Sequence, residues 1–193
     1  MNTGVTEAHN LAWKLAAMVN GWGGSRLMES YEAERLPVAR RNRDHVRKCA
    51  SAVIESQFDA ADVRLGDSPS DRATRDGMAA RFESKVSRLY ESLGIEIGYR
   101  YRNVSTIVCD EQDEPPSDEV RYRATTWPGA RLPNGFGADG VALLDRIPAD
   151  SFVLFVADAR RDDVQALVDA AQAVRLPLTL SLIHLPEPTR RPC

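Results

Sequence analysis

The chain has 193 residues, of which 43% are hydrophobic and 27% are charged, with 12 glycines and 11 prolines. This composition is that of an ordinary globular protein of one or two domains, and it excludes collagen-like, low-complexity and wholly disordered chains. The 25 basic and 28 acidic residues give a net charge of −3, so no excess of positive charge predicts binding to nucleic acid or to an anionic membrane. The sequence has no run of roughly 18 apolar residues that would cross a membrane, and it does not open with a secretory signal pattern.

The first predicted element is a helix from about Gly4 to Asn20, followed by a glycine-rich turn at 21–24. Its apolar stripe is broad and includes Trp13, so we expect most of the stripe to be buried. The apolar residues that recur there at three- and four-residue steps are Val5, Ala8, Leu11, Ala12, Leu15, Ala16 and Val19.

A second helix is predicted to begin near Arg26. Pro37 should end or kink it, because proline lacks an amide donor, and helix should resume at Val38 and continue to about Phe58. Six basic residues lie between 35 and 48, with acidic residues around them and no aromatic residue among them. We interpret this segment as a solvated, salt-bridged face rather than as a nucleic-acid interface.

A third helix is predicted after a polar loop at 59–67. Ser68 is its expected N-cap, because a proline follows at the first helical position and an acidic residue lies in the first turn. Apolar residues keep helical register from Arg72 to Leu93, and Gly94 is expected to stop the helix.

Two short strands and a linker are predicted next. Residues 95–102 alternate apolar or aromatic with polar side chains, which is typical of a strand, and 105–109 form a second candidate. The segment 111–126 is acidic in its first part, contains two consecutive prolines and is predicted to be a linker. Residues 1–110 would then form one domain and 127–193 another.

The last third has the order strand, helix, strand. A short strand is predicted at 141–144, a buried strand at 152–157, an amphipathic helix at 162–174 and a strand at 176–183. Apolar strands around an amphipathic helix indicate a small α/β layer. The predicted fold class is therefore α/β overall, with a mainly helical first part.

The sequence contains none of the common catalytic motifs that were compared with it by residue type and spacing. The sequence has no GxGxxG, Walker, HExxH or GxSxG motif, and its carboxylates form no isolated apolar pair suited to acid–base catalysis. We therefore assign no catalytic residue and no metal ligand, and the odd number of cysteines favours a reducing, cytoplasmic setting. The three histidines are scattered along the chain, and the three cysteines share no metal-ligand spacing; these residues are His9, His45, His184, Cys49, Cys109 and Cys193.

One feature of the sequence points to binding. Asn2, Thr3 and Gly4 stand at the start of the first predicted helix, where backbone N–H groups without helical partners form a site for an anion or a dipole. Every helix has such an end, so simple helix capping by Asn2 and Thr3 is the alternative interpretation of the same residues.

Several segments together resemble a known family. Residues 1–15, Met-Asn-Thr-Gly-Val-Thr-Glu-Ala-His-Asn-Leu-Ala-Trp-Lys-Leu, resemble the segment after the second FAD-binding motif of class A flavoprotein aromatic monooxygenases, in particular the phenol and polyketide hydroxylase branch. The resemblance continues at Gly-Trp-Gly-Gly in 21–24 and at Ser-Tyr-Glu-Ala-Glu-Arg-Leu-Pro-Val-Ala in 30–39. It returns in 93–102 and in 128–133.

The resemblance implies a flavin contact. In this family the first helix points its N-terminus at the pyrimidine edge of the flavin, so Met1, Asn2, Thr3 and Gly4 would meet the N1/O2 side of the isoalloxazine. The implied cofactor is FAD, with NAD(P)H as co-substrate, and the implied reaction is hydroxylation of a phenolic or polyketide-type aromatic substrate. Reduced flavin is negative at this edge, and a helix N-terminus stabilises an anion.

The resemblance also shows what this sequence lacks. The family's dinucleotide-binding glycines, its Gly-Asp motif and its substrate-binding sheet do not occur here, so we expect a C-terminal piece of such an enzyme, inactive on its own and unable to hold FAD tightly. Residues 127–193 resemble part of the thioredoxin-like domain of this branch but have no Cys-x-x-Cys pair, which implies a structural or oligomer-contact role, such as that of a homodimer interface. The alternative is a non-catalytic interaction or oligomerisation module, or a truncated gene product without activity.

Overall fold

The structure is a computed structural model that describes residues 2–61, 66–109, 113–148, 150–157 and 161–183. Its contacts divide the chain into two units. Unit 1 comprises Met1–Glu7 and Glu29–Arg131, and unit 2 comprises Ala8–Met28 and Leu132–Cys193. The predicted loop residues 62–65 and the tail from His184 to Cys193 lie outside the described residues.

Five α-helices and two strands are described, together with two short 3-10 turns. A helical first part followed by a small α/β arrangement confirms the coarse fold prediction. In chain order the elements are α1 (Asn2–Val19), α2 (Leu27–Ala61), α3 (Pro69–Val86), a 3-10 turn (Ser87–Leu89), α4 (Leu93–Ile97), a 3-10 turn (Leu143–Arg146), β1 (Phe152–Ala157), α5 (Arg161–Ala173) and β2 (Leu178–Ile183). None of the helices within the described ranges is both long and apolar enough to cross a membrane.

Helix α1 has the predicted length but buries a different face from the one expected. Leu15 is 47% exposed and Val19 is 86% exposed, so the expectation that most of the apolar stripe is buried is wrong. The buried residues are instead Asn10, Lys14 and Ala17, which recur at the helical steps of four and three. Burial of a lysine requires compensation, and the Lys14 ammonium lies 5.4 Å from the centre of the Trp13 ring.

Helix α2 is continuous from Leu27 to Ala61, so it does not end at Pro37, and the predicted alternative of a kink there stays a prediction. Proline removes one helical hydrogen bond, but the residues around it are fixed by burial. Glu34, Arg35 and Val38 are all at most 4% exposed. The helix is therefore packed against other parts of unit 1 on both sides of the proline. The helix also extends three residues beyond the predicted end at Phe58.

Helix α3 begins as predicted, with a complete capping box. The Asp71 amide donates to Ser68 Oγ at 3.2 Å, and the Ser68 amide donates to Asp71 Oδ2 at 3.3 Å. The predicted continuation to Leu93 is wrong, because α3 ends at Val86 and a 3-10 turn follows.

Gly94 lies inside the short helix α4 and does not stop a helix as predicted. Its amide donates to the Val120 carbonyl at 3.4 Å, and the next amide, that of Ile95, donates to the Glu119 carbonyl at 3.0 Å. A Cβ at position 94 would overlap the Asp118 carbonyl oxygen. Glycine is therefore required here by the close approach of another backbone segment.

Both strands predicted between 95 and 109 are wrong. Residues 93–97 are helical, and Arg100 makes only an isolated bridge to Ala130. No strand is assigned at 105–109. The alternation of side chains was a correct local pattern, but a strand needs a partner along its length. Within the described part of unit 1, the backbone of this segment forms a bridge only at Arg100, with Ala130.

The described part of the segment 111–126 has no helix or strand but is bound closely to the rest of unit 1. Arg100 Nη1 donates to Glu114 Oε1 at 2.7 Å and to the Pro115 carbonyl at 2.5 Å. Arg100 is 6% exposed, so this ion pair is buried on the arginine side. The guanidinium also lies 5.9 Å from the ring centre of Trp127. The predicted domain boundaries around this segment stay a prediction.

In unit 2, β1 and β2 form a parallel pair with Phe152 opposite Leu178 and Ala157 opposite Ile183. Helix α5 connects them, as parallel strands require a crossover. The predictions of β1, α5 and β2 are confirmed. The strand predicted at 141–144 is wrong, since Leu143–Arg146 form a 3-10 turn and Ala142 makes only an isolated bridge to Phe136.

Three aromatic rings pack together in unit 2. Trp13 and Trp22 are stacked with ring centres 6.4 Å apart. Phe152 at the start of β1 contacts both edge-on, with ring centres 5.9 Å from each. Such offset and edge-to-face contacts stabilise aromatic pairs by about 0.5–1.5 kcal/mol beyond the apolar area they bury. The aromatic cluster thus ties α1 to the β-strand pair within this unit.

Candidate functional site

The sequence-predicted site lies at the first turn of α1. Met1 is outside the described residues, Asn2 begins the helix, Thr3 is half-buried and Gly4 is exposed. The first turn contains no acidic residue, so none of its side chains supplies a carboxylate to the free N–H groups. A Cβ at Gly4 would meet no atom within 4 Å. Within the described residues, this side of the first turn is open.

A buried arginine, Arg35, is hydrogen-bonded to the first turns of α1. Arg35 on α2 is 3% exposed, and its Nη2 donates to Thr6 Oγ1 at 2.7 Å. Thr6 Oγ1 in turn donates to the Thr3 carbonyl at 2.8 Å. The Arg35 Nη1 group donates to the Tyr101 hydroxyl at 3.2 Å, and the guanidinium lies 5.4 Å from the Tyr99 ring centre.

The interpretation of the 35–48 charge run as a solvated face is therefore wrong in part. Arg35 is buried, and Arg41 is half-buried with its two terminal nitrogens donating to the Ile95 and Gly94 carbonyls at 3.0 and 2.6 Å. The other basic residues of the run, Arg40, Arg43, Arg47 and Lys48, are exposed. The sequence contains an indication that Arg35 is buried, because Arg35 shares a helix face with Tyr31 and Val38.

Burial raises the pKa of the Tyr101 hydroxyl above its ordinary value of 10.0, while the hydrogen bond from Arg35 acts in the opposite direction. Tyr101 is therefore a neutral phenol at physiological pH. Its oxygen accepts the hydrogen bond from Arg35.

A cavity of about 560 Å³ lies beside the first turn of α1 within unit 1. Its volume is in the range of pockets that hold small organic molecules. Two buried polar atoms among its lining residues, Asn42 Oδ1 and His45 Nδ1, have no hydrogen-bond partner within 3.5 Å among the described residues. The residues that line it include Thr3, Thr6, Val38, Ile95 and Tyr99.

His45 and Cys49 form a buried pair one turn apart on α2. Cys49 Sγ lies 3.5 Å from His45 Nε2, and His45 Nδ1 lies 3.6 Å from Glu119 Oε2. A hydrogen bond from Lys48 lowers the pKa of Glu119 below its ordinary value of 4.5. Cys109 is exposed. No group of three or more potential metal ligands occurs in the described part of the chain.

His9 is exposed and lies in unit 2. It lines a second cavity, of about 490 Å³, together with the aromatic cluster of Trp13, Trp22 and Phe152. His184 lies outside the described residues. None of the observed contacts assigns a catalytic role to His9.

Comparisons with known proteins identify the class. The family described as "FAD binding domain" matches residues 1–46. The chain is 34% identical over 162 residues to the FAD-dependent monooxygenase opdD of Penicillium oxalicum, covering 76% of this chain and 28% of that protein. It is 30% identical over 186 residues to a putative polyketide hydroxylase of Streptomyces halstedii, covering 92% of this chain and 29% of the relative.

A solved structure agrees with these relatives. The crystal structure of the flavin-dependent monooxygenase PieE in complex with FAD and substrate superposes with a TM-score of 0.80 at 28% identity, over 95% of this chain and 35% of that one. Over the part of these proteins that the chain covers, its fold and sequence are thus similar to those of flavin-dependent monooxygenases. The chain belongs to the class A FAD-dependent aromatic monooxygenases, and it spans about a third of the length of the relatives it matches.

The hydrogen-bond donors of the first turn of α1 are of the kind that one edge of a flavin would require. Its N–H groups are free of an acidic neighbour in the first turn, and the side at Gly4 is open. These groups suit the carbonyl and ring nitrogen of a pyrimidine edge, which accept hydrogen bonds. The fit concerns this edge alone, because the sequence has no glycine-rich motif for the dinucleotide part of FAD.

Proposed function

We propose that this chain is part of an FAD-dependent monooxygenase that hydroxylates an aromatic substrate of phenolic or polyketide type, using NAD(P)H and O2. The observation that carries the proposal is the open first turn of α1, which occurs in a chain of this family. The relative from Streptomyces halstedii is named "putative polyketide hydroxylase", which supports the substrate class.

In this proposal, backbone groups of Met1, Asn2, Thr3 and Gly4 contact the N1/O2 edge of the flavin. FAD, when bound, supplies the redox and oxygen-transfer chemistry. The chain's own contribution is electrostatic and geometric: the N–H groups donate hydrogen bonds, and the positive end of α1 favours negative charge at that edge. A charge at a helix N-terminus is typically stabilised by about 0.3–1 kcal/mol, and by more where the site is partly buried.

The C-terminal part of the chain has a separate role in this proposal. We propose that residues 127–193 are part of a thioredoxin-like domain, supported by the parallel β1–α5–β2 unit. The lack of a Cys-x-x-Cys pair argues against a redox role for it. A homodimer contact through this domain, a cytoplasmic location, and the absence of nucleic-acid and membrane partners complete the proposal.

The alternative is that the chain acts as a non-catalytic interaction or oligomerisation module. The exposed apolar residues of α1 in unit 2, Leu15, Met18 and Val19, favour an uncovered surface of this kind. The two functions differ in whether the first turn of α1 meets a flavin, and this difference can be tested directly.

The test is a chimera in which residues 1–193 replace the matching third of PieE. We expect the chimera to retain FAD and to oxidise NAD(P)H in the presence of an aromatic substrate. Gly4→Asp should lower the reduction potential of its flavin, because a carboxylate beside the N1/O2 edge opposes reduction to an anion. The neutral control Gly4→Asn should leave the potential unchanged.

The same pair of substitutions separates flavin contact from simple helix capping. In the chain alone, an acidic residue in the first turn stabilises a helix, so Gly4→Asp should not reduce stability. A chimera that binds FAD but shows equal potentials for the Asp and Asn variants would show that residues 1–4 do not meet the flavin.

A further inference from the structure

Arg35 connects three parts of unit 1 that are far apart in sequence. From α2 it reaches Thr6 on α1 through Nη2 and Tyr101 through Nη1, at 2.7 and 3.2 Å. Its guanidinium also lies over the Tyr99 ring, 5.4 Å from the centre. The two hydrogen bonds use different nitrogens of the planar guanidinium, so they fix its orientation as well as its position.

The burial of this cation is costly and calls for a physical reason. Arg35 is 3% exposed, and its Nε has no hydrogen-bond partner among the residues that the structure describes. An unsatisfied buried donor lowers stability, so the position of the guanidinium does not satisfy all of its hydrogen-bond donors. It is placed where it reaches Thr6 and Tyr101 at once.

The contact with Thr6 continues into the first turn of α1. Thr6 Oγ1 accepts from Arg35 and donates to the Thr3 carbonyl at 2.8 Å. The carbonyl of Thr3 belongs to this first turn of α1. The two hydrogen bonds therefore restrain movement of the turn relative to Arg35.

We propose that Arg35 is a positioning residue that, through Thr6, fixes the first turn of α1 at the distance and angle needed to meet the flavin edge. This inference rests on the proposed function, because it is the flavin that requires the turn to be fixed. Arg35 itself does not contact the flavin in this proposal. Its effect is transmitted through the Thr6 hydroxyl.

The first test uses the 193-residue chain and amide hydrogen exchange. Arg35→Lys retains the charge but cannot bond to Thr6 and Tyr101 with the same geometry, so the amides of Thr6 and Glu7 should exchange about tenfold faster, as expected for loss of a hydrogen bond to a charged group. The matched control is Arg41→Lys, which lies on the same helix and also loses a two-nitrogen contact. Arg41→Lys should leave these two amides unchanged.

The hydroxyl of Thr6 provides a second, smaller pair of variants. Thr6→Val removes the oxygen and should reproduce the faster exchange, whereas Thr6→Ser retains it and should restore protection. If Arg35→Lys and Arg41→Lys affect the first turn equally, or if Thr6→Val has no effect, Arg35 serves only general stability and the inference is wrong.

The second test measures the flavin in the PieE chimera. Arg35→Lys should shift the flavin reduction potential and Arg41→Lys should not, since only Arg35 holds the turn. A bound flavin whose potential is unmoved by Arg35→Lys would overturn the inference. A chimera that binds no FAD would contradict the proposed function instead, while the exchange result on the chain would still decide whether Arg35 fixes the turn.

Discussion

In unit 1, three arginines join segments that are distant in sequence, whereas unit 2 is joined by aromatic rings and a strand pair. The hydrogen bonds of Arg35 reach residues 29 and 66 positions away, and those of Arg41 reach residues 53 and 54 positions away. Those of Arg100 reach residues 14 to 16 positions away. In unit 2, the rings of Trp13, Trp22 and Phe152 contact one another. The two units therefore respond to different kinds of substitution.

The difference follows from the physical nature of the contacts. Hydrogen bonds of a planar guanidinium are directional, and one partner of Arg100, the Glu114 carboxylate, is ionised, so unit 1 should be sensitive to changes of geometry and charge. Aromatic contacts depend mainly on the apolar area that is buried, so unit 2 should be sensitive to lost volume. The following substitutions test this contrast.

The largest effect is expected at Arg100. Arg100→Ala removes a buried guanidinium with its hydrogen bonds to Glu114 and the Pro115 carbonyl and its contact with Trp127. Glu114 keeps a hydrogen bond from Arg102, so the loss is that of the Arg100 contacts and should lower the free energy of unfolding by about 3 kcal/mol. Arg102→Ala is the control, because Arg102 binds the same carboxylate but is 45% exposed; its cost should be below about 1 kcal/mol. Urea unfolding measures both, and equal losses would contradict the assignment of a buried pair.

In unit 2 we expect the largest loss of stability when an aromatic ring of the cluster is removed. Phe152→Ala should cost about 2 kcal/mol, which is less than for a fully buried ring because Phe152 is 43% exposed. It should also change the near-ultraviolet circular dichroism of Trp13 and Trp22. Phe82→Ala, at a residue 51% exposed on α3, serves as the control and should change neither signal appreciably. An unchanged tryptophan signal in Phe152→Ala would contradict the aromatic cluster.

Backbone proximity in unit 1 is tested by a pair of glycines. Gly94→Ala forces the Asp118 backbone away and should destabilise the chain by about 1–3 kcal/mol. Gly77→Ala on α3 adds a methyl group into open space and should stabilise it by up to about 1 kcal/mol, because alanine is the better helix former. Thermal unfolding of the two variants should shift in opposite directions. A shift in the same direction would argue against the close approach at Gly94.

The smallest effect concerns pH and Glu114. Hydrogen bonds from Arg102 and Arg100 lower the pKa of the Glu114 carboxyl below its ordinary value of 4.5. A carboxylate with a lowered pKa contributes stability above its unfolded-state pKa, and this contribution is lost as the pH falls through the lowered value. Glu114→Gln should therefore reduce stability at neutral pH and flatten its decline below pH 4.5. An unchanged acid limb in urea unfolding would contradict this linkage.

These contrasts also explain which parts of the fold could be predicted from the sequence. The N-cap at Ser68 follows from the proline and the acidic residue next to it, and β1, α5 and β2 follow from local apolar patterns, so all four were predicted. Residues 95–109 were wrongly predicted as strands because contacts with a distant segment determine their structure. The amide of Gly94 pairs with the Val120 carbonyl, and no local pattern contains that information.

The candidate site divides in the same way. The position of Asn2, Thr3 and Gly4 at the start of α1 follows from local helix signals and was predicted. The role of Arg35 was missed, since arginines in a charge run are usually solvated. Its burial depends on Tyr99 and Tyr101, which lie more than 60 residues later in the chain.

The central claim is that this chain supplies one edge of a flavin site whose remainder lies in the parts of the relatives that it does not match. The most direct measurement is the FAD content after gel filtration, compared between the purified 193-residue chain and the PieE chimera. We predict no stoichiometric flavin absorption for the chain alone, because it lacks the dinucleotide contacts that would offset the entropic cost of association, and one FAD per chimera. A chain that retains stoichiometric FAD by itself, or a folded chimera that retains none, would contradict the account.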